Sequence, residues 1–151
     1  MDNVMALRKG DHGIFRPDLS RRLARPLFSC GVQAGFPSPA DDYLERNLDL
    51  NELLVAHPAA TFYVRLSGDS MTGAGLYDGD ILVVDRSVEP AHGHIVIAVL
   101  DGELTVKRLH RRDGVTQLRP ENPRYPVIAI GPDREFMVWG VVTGSVRKLV
   151  K

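Results

Sequence analysis

The chain has one cysteine, one tryptophan and no net charge, its nineteen Lys and Arg balancing nineteen Asp and Glu across 151 residues. Each shortage removes a class of function. With Cys30 alone, an intrachain disulfide and any cysteine-rich zinc site are excluded, and a reducing compartment fits. Balanced charge leaves no bulk field to draw the whole chain onto nucleic acid or an anionic membrane. No apolar run approaches the ~20 residues of a membrane-spanning helix, and the N-terminus lacks the apolar stretch of a signal peptide. A soluble, cytoplasmic protein is expected. Among the five histidines only His92 and His94 could share a strand face; with no third ligand beside them, no metal and no other cofactor is expected.

The charge that is present is unevenly placed. Residues 1–34 carry six basic and three acidic side chains, a net +3, which leaves thirteen and sixteen, a net −3, on residues 35–151. Docking of such an arm on the body is electrostatically permitted. Residues 1–37 show no sustained periodicity and contain three prolines, so they read as a mobile or loosely docked arm. Ser38 as N-cap and Pro39 at the first helical position predict a helix running through DDYLER, and Asp49 predicts a second short helix. Glu52 stands in the capping-box position of that second helix, with Leu50, Leu53 and Leu54 as its core-facing side.

From Thr61 onward the pattern is that of strands. TFYVRL, DILVVD, HIVIAVL, ELTVKRL, VTQLRP, PVIAI and EFMVWGVV are short, rich in Val and Ile, and separated by Gly, Asp and Pro. Asp101-Gly102 and Asp113-Gly114 are hairpin-turn signals. The expected fold is mainly β: an antiparallel sheet with two short helices at its start and an N-terminal arm.

Two residues stand out chemically. Ser70 lies in the glycine-rich stretch SGDSMTGAGLYDGD, which on composition alone is a surface turn. Lys107 lies in ELTVKRL, where period-2 alternation puts it with Thr105 on the face opposite Val106. The plain reading is a solvated lysine on a hairpin. The sharper one buries it: an amine in an apolar pocket loses affinity for its proton and can act as a base toward a serine hydroxyl without any histidine.

Seven stretches, in order and spacing, decide which reading to follow: LFS at 27–29, VQAGFPSP at 32–39, DLNELL at 49–54, SGDSM at 67–71, DGDILVVD at 78–85, DGELTVKRL at 101–109 and WGVV at 139–142. Together they resemble the LexA/UmuD family of self-cleaving serine peptidases across nearly all of residues 27–148. The resemblance implies a nucleophile at Ser70, a general base at Lys107, and a cut in the protein's own chain after a small residue preceding glycine. Gly68, Asp69 and Met71 would shape the nucleophile's loop. Cys30-Gly31 and Ala34-Gly35 both fit the small-residue rule, and the family's cut directly before F-P-S-P selects Ala34-Gly35. Residues 1–34 would then be a regulatory arm removed by autocleavage, and residues 35–151 the peptidase-like core. The family further implies a homodimer, stimulation by a RecA filament on single-stranded DNA, and a UmuC-like Y-family translesion polymerase as partner of the trimmed form. One departure is His94, which stands where related chains usually carry an aspartate.

Three rivals remain at this level. A LexA-type self-cleaving repressor needs a helix-turn-helix head, which residues 1–34, with Gly10, Gly13, Pro17 and Pro26, do not supply, so sequence-specific DNA binding is not expected. Signal peptidase also pairs Ser with Lys but needs a membrane anchor. A non-catalytic interaction module would leave both residues incidental.

Overall fold

The computed structural model describes residues 14–28, 34–35 and 44–150. The chain forms two compact units, one from residues up to Pro17 together with those from His57 onward, the other from Asp18 to Ala56. Among the described residues no helix is long and apolar enough to cross a membrane.

The larger unit is one antiparallel sheet of eight strands. In chain order these are β1 (Ile14–Phe15), β4 (Thr61–Arg65), β5 (Ile81–Asp85), β6 (Ile95–Leu100), β7 (Glu103–Arg112), β8 (Val115–Arg119), β9 (Ile128–Ala129) and β10 (Phe136–Val146). β2 (Arg25–Phe28) and β3 (Leu44–Leu48) belong to the smaller unit. In space the order is β1-β4-β5-β10-β6-β7-β8-β9. Each apolar segment expected to be a strand is one, although PVIAI contributes only the two residues of β9. Both Asp-Gly turns are hairpin turns with positive φ at each residue: 49° and 80° at Asp101-Gly102, 53° and 73° at Asp113-Gly114. That mirror-image turn matches the twist of the strands it joins.

Continuous apolar runs such as IVIAVL occur because the central strands are covered on both faces. Ile97 of β6 packs with Val64, Leu66, Met71, Leu82 and Val84, while its neighbours Val96 and Ala98 pack with Leu109, Leu118 and Val141. Two apolar clusters thus share one sheet.

The smaller unit corrects the sequence reading. Strand β2 (Arg25–Phe28) pairs antiparallel with β3 (Leu44–Leu48), so the segment LERNL is extended where a helix through Arg46 was expected; the helix's proposed start at Ser38 and Pro39 lies outside the described residues. Pairing with β2 overrides the local helix signal, which was never more than a weak prior. The arm, read as lacking regular structure, supplies β1 and β2. Helix α1 (Leu50–Leu54) does form, with Asp49 accepting the Asn51 amide at 2.9 Å. Asp49 also accepts the Leu23 amide at 3.2 Å, tying helix and β2 segment together. Leu50 and Leu53, however, are 57% and 56% exposed and are not core residues. A five-residue helix has too short a stripe to bury all three leucines. Glu52 pairs with Arg22.

Gly140 is the tightest joint of the large sheet. It follows a register shift in β10 between Val138 and Gly140, and a Cβ added there would lie 2.6 Å from Val84 Cγ1, a fully buried atom. Gly140→Ala is therefore expected to overpack the first cluster and cost about 1–3 kcal/mol, read as a lower urea midpoint at unchanged m-value; an unchanged midpoint would mean that β10 can shift freely.

Candidate active site

Ser70 sits in the loop between β4 and β5. Two backbone bonds close that loop at its base, Leu66 N to Asp80 O and Gly79 N to Leu66 O, each 2.8 Å. Gly68 takes φ +95°, a conformation that favours glycine, and its amide donates to Asp78 Oδ1 at 2.7 Å. Met71 is 1% exposed and fills the first apolar cluster, so the residue after Ser70 anchors the loop in the core. At the far end, buried Asp80 accepts Arg147 Nε at 2.6 Å, Arg147 Nη2 at 2.7 Å and the Tyr77 amide at 2.9 Å. The Arg147 hydrogen bonds hold the Asp80 carboxyl below the usual carboxylate range despite its burial.

A distant segment braces the same loop. The Ser70 carbonyl accepts the Glu121 amide at 2.8 Å, and the Glu121 carbonyl accepts the Gly73 amide at 2.7 Å. A Cβ on Gly73 would lie 2.6 Å from that carbonyl oxygen, so this approach requires glycine. Asn122 Nδ2 donates to the Asp69 carbonyl at 2.9 Å, and the Tyr125 hydroxyl donates to the Asp69 carboxylate. Glu121 itself is held by Arg108, the residue after Lys107, whose guanidinium also donates to the Gly93 carbonyl at 2.7 Å. Nothing local in the sequence marks residues 121–125 as part of the site. Next to Gly93, His94 Nδ1 accepts the Ala91 amide at 3.2 Å, so the imidazole supplies a polar contact of its own where an aspartate was expected.

Lys107 comes from the middle of β7, where it pairs with Val96 of β6 and directly precedes Arg108, the first residue paired with β8. Its Nζ donates to Ser70 Oγ at 3.1 Å, to Thr105 Oγ1 at 2.8 Å and to the Val106 carbonyl at 3.1 Å. The shared face of Thr105 and Lys107, legible from alternation, brings the threonine hydroxyl onto the amine; the sequence carried no sign that it would be a partner. Both Ser70 and Lys107 are half-buried and line one cleft of about 550 Å³ whose walls include Val64, Leu66, Ile97 and Leu104. Burial pushes the Lys107 ammonium below its ordinary value, with no carboxylate opposing the shift. The arrangement is a serine hydroxyl beside an amine that gives up its proton more readily than a solvated lysine.

Of the other residues singled out, Gly68, Asp69 and Met71 lie in the Ser70 loop as described. Ala34 and Gly35 are exposed at a bend of the smaller unit, and a Cβ on Gly35 would meet nothing within 4 Å. Cys30 lies outside the described residues.

Comparison with known proteins bears on the whole of this arrangement. The family model described as Peptidase S24-like matches residues 26–143, a span that holds both Ser70 and Lys107. Protein SamA of Salmonella typhimurium is 50% identical over 123 residues, 82% of this chain and 85% of that protein. Protein MucA of Escherichia coli is 47% identical over 127 residues, 83% and 86% of the two chains. The LexA repressor of Acidovorax sp. is 36% identical over 145 residues, 96% of this chain and 63% of the repressor. A match over this much of the chain, on a mainly β antiparallel fold, leaves one assignment: the chain belongs to the Peptidase S24-like family, as a UmuD-like member of it.

Proposed function

We propose that this protein acts in the SOS response by cutting its own backbone between Ala34 and Gly35, with Ser70 as nucleophile and Lys107 as general base. The observation that carries the reading is the Lys107 Nζ–Ser70 Oγ contact of 3.1 Å inside an apolar cleft. Neutral Lys107 takes the Ser70 proton as Oγ bonds to the Ala34 carbonyl carbon. The protonated amine then gives that proton to the Gly35 nitrogen as the peptide bond breaks, and water hydrolyses the resulting ester. Among the described residues the amides of Ser70 and Met71 have no acceptor, which leaves both free to receive the developing oxyanion. The bond itself lies between β2 and β3, which flank it as paired strands of the smaller unit. Residues 1–34 are the regulatory arm in this reading, and residues 35–151 the core.

The trimmed protein serves, as a homodimer, as accessory subunit of a UmuC-like Y-family polymerase in translesion synthesis. A RecA filament on single-stranded DNA stimulates the cut. The filament acts by binding the cleavage-ready conformation better than the alternative, because a ligand shifts an equilibrium only through differential affinity. Membership of the family, with SamA and MucA among the relatives, supports this part of the reading.

Intact-mass analysis after incubation with RecA, ATP and single-stranded DNA tests the bond. The expected product begins at Gly35 and has 117 residues, 151 minus the 34 removed; a product beginning at Gly31 would overturn the assignment. Ser70→Ala is expected to abolish the cut, and Lys107→Ala to slow it by about 10²–10⁴-fold. Lys107→Arg fails equally, since a guanidinium does not deprotonate. Undiminished cleavage in either alanine variant contradicts the mechanism.

The pH dependence has a definite sign. Because the folded-state pKa of Lys107 is depressed, the filament-free rate should rise about tenfold per pH unit up to that pKa and then level off. Stability follows the same group: between the folded pKa and the ordinary value of 10.5 the unfolded chain binds the extra proton, so Lys107 destabilises the fold below that window and this effect fades as pH rises through it. Lys107→Met should therefore raise the melting temperature at neutral pH. A pH-independent cleavage rate, or a Lys107→Met variant that melts lower, would contradict the lowered pKa.

A further inference from the structure

The pairing of β7 with β8 sets Arg108 opposite Arg119, His110 opposite Gln117 and Arg112 opposite Val115, all on one face. Like charges directly opposite each other on neighbouring strands destabilise a sheet. Arg108 is compensated by Glu121. Arg119 gives Nε and Nη2 to Gln117 Oε1 at 3.0 and 2.8 Å, a neutral acceptor that orients the guanidinium and leaves its charge in place. Arg112 is exposed and has no carboxylate partner among the described residues. Between these two cations His110 meets His92 edge to face, ring centroids 4.9 Å apart. The His110 imidazole is held below its ordinary value by desolvation first, then by Arg119, His92 and Arg112, with Asp113 in the turn the one acidic group opposing them. Both arginines thus bear on the imidazole between them, and neither the core nor the Ser70–Lys107 contact uses Arg112 or Arg119.

We infer that this face of the β7–β8 hairpin binds the phosphate backbone of single-stranded nucleic acid. Successive side chains on one strand face repeat at about 6.8 Å, so Arg119, beside Arg108, and Arg112, beside Val115, stand about 14 Å apart along one extended track with His110 and Gln117 between them. Guanidinium forks pair with phosphate oxygens in bidentate fashion, and the two imidazoles offer flat surfaces on which bases stack. An acidic peptide would use the charge and leave the rings idle. With Arg112 and Arg119 as the two cations this face offers, on a chain of zero net charge, binding is weak, indifferent to sequence and sensitive to salt.

The test does not depend on self-cleavage. Intact Ser70→Ala protein is titrated into a fluorescein-labelled oligothymidylate at low ionic strength, and anisotropy is followed over a salt series. Two phosphate contacts at about 0.7 each give an expected slope of log K against log salt of about −1.4. Arg112→Gln or Arg119→Gln should reduce it to about −0.7, and the double variant should bind about tenfold or more weakly with a slope near zero. Arg134→Gln, in the connection between β9 and β10, should leave the slope unchanged. Relief of the like-charge pair should leave the Arg119→Gln melting temperature no lower. Absence of binding, or equal binding by the double variant, overturns the proposal. Polyglutamate that binds as tightly and loses its affinity in the same variants overturns it in favour of an acidic protein partner.

Discussion

The structure turns on removing one ammonium group from water. Lys107 Nζ has three donors, and Ser70 Oγ, Thr105 Oγ1 and the Val106 carbonyl accept them, so the amine is partnered though it is desolvated. All three acceptors are neutral. A carboxylate there would have raised the affinity for the proton; apolar walls and neutral acceptors lower it. The same choice makes Lys107 a liability for folding and, in the proposed mechanism, a base for catalysis.

Holding that geometry requires two supports of different kinds. Lys107 is fixed by a long strand paired with β6 at Lys107 itself and with β8 from the next residue on, which sets its position through the backbone ladder. Ser70 stands on a loop, and loops keep their shape only when pinned. Here the pins are Met71 in the core, the Asp80–Arg147 pair at one end, and residues 121–125 across the outside. Arg108 joins the two supports, since it follows Lys107 in β7 and grips Glu121, whose backbone bonds to Ser70 and Gly73. Displacement of the brace would move the serine while leaving the lysine in place.

Much of this was legible in the sequence because it is local. Alternation and Asp-Gly turns locate β4 to β8 and β10, and the parity of Thr105 with Lys107 is a property of any strand. The Ser70–Lys107 pairing was reached only through the order and spacing of seven motifs, since neither residue is distinctive alone. What failed was decided by tertiary contact. LERNL carries a helix signal but finds β2 as a partner, and Leu50 and Leu53 look like a core stripe on a helix too short to bury them. Tyr125 and Asn122 reach Asp69 from more than fifty residues away, beyond any periodic pattern.

The central claim is that Lys107 loses its proton more easily than a solvated lysine. Only four lysines are present, Lys9, Lys107, Lys148 and Lys151, so selective ¹³C labelling of lysine side chains in intact Ser70→Ala protein, with Lys107→Met to assign the signal, allows direct titration by NMR. A Lys107 midpoint below 10.5 is the predicted result; a Lys107 midpoint at or above 10.5 would contradict the account.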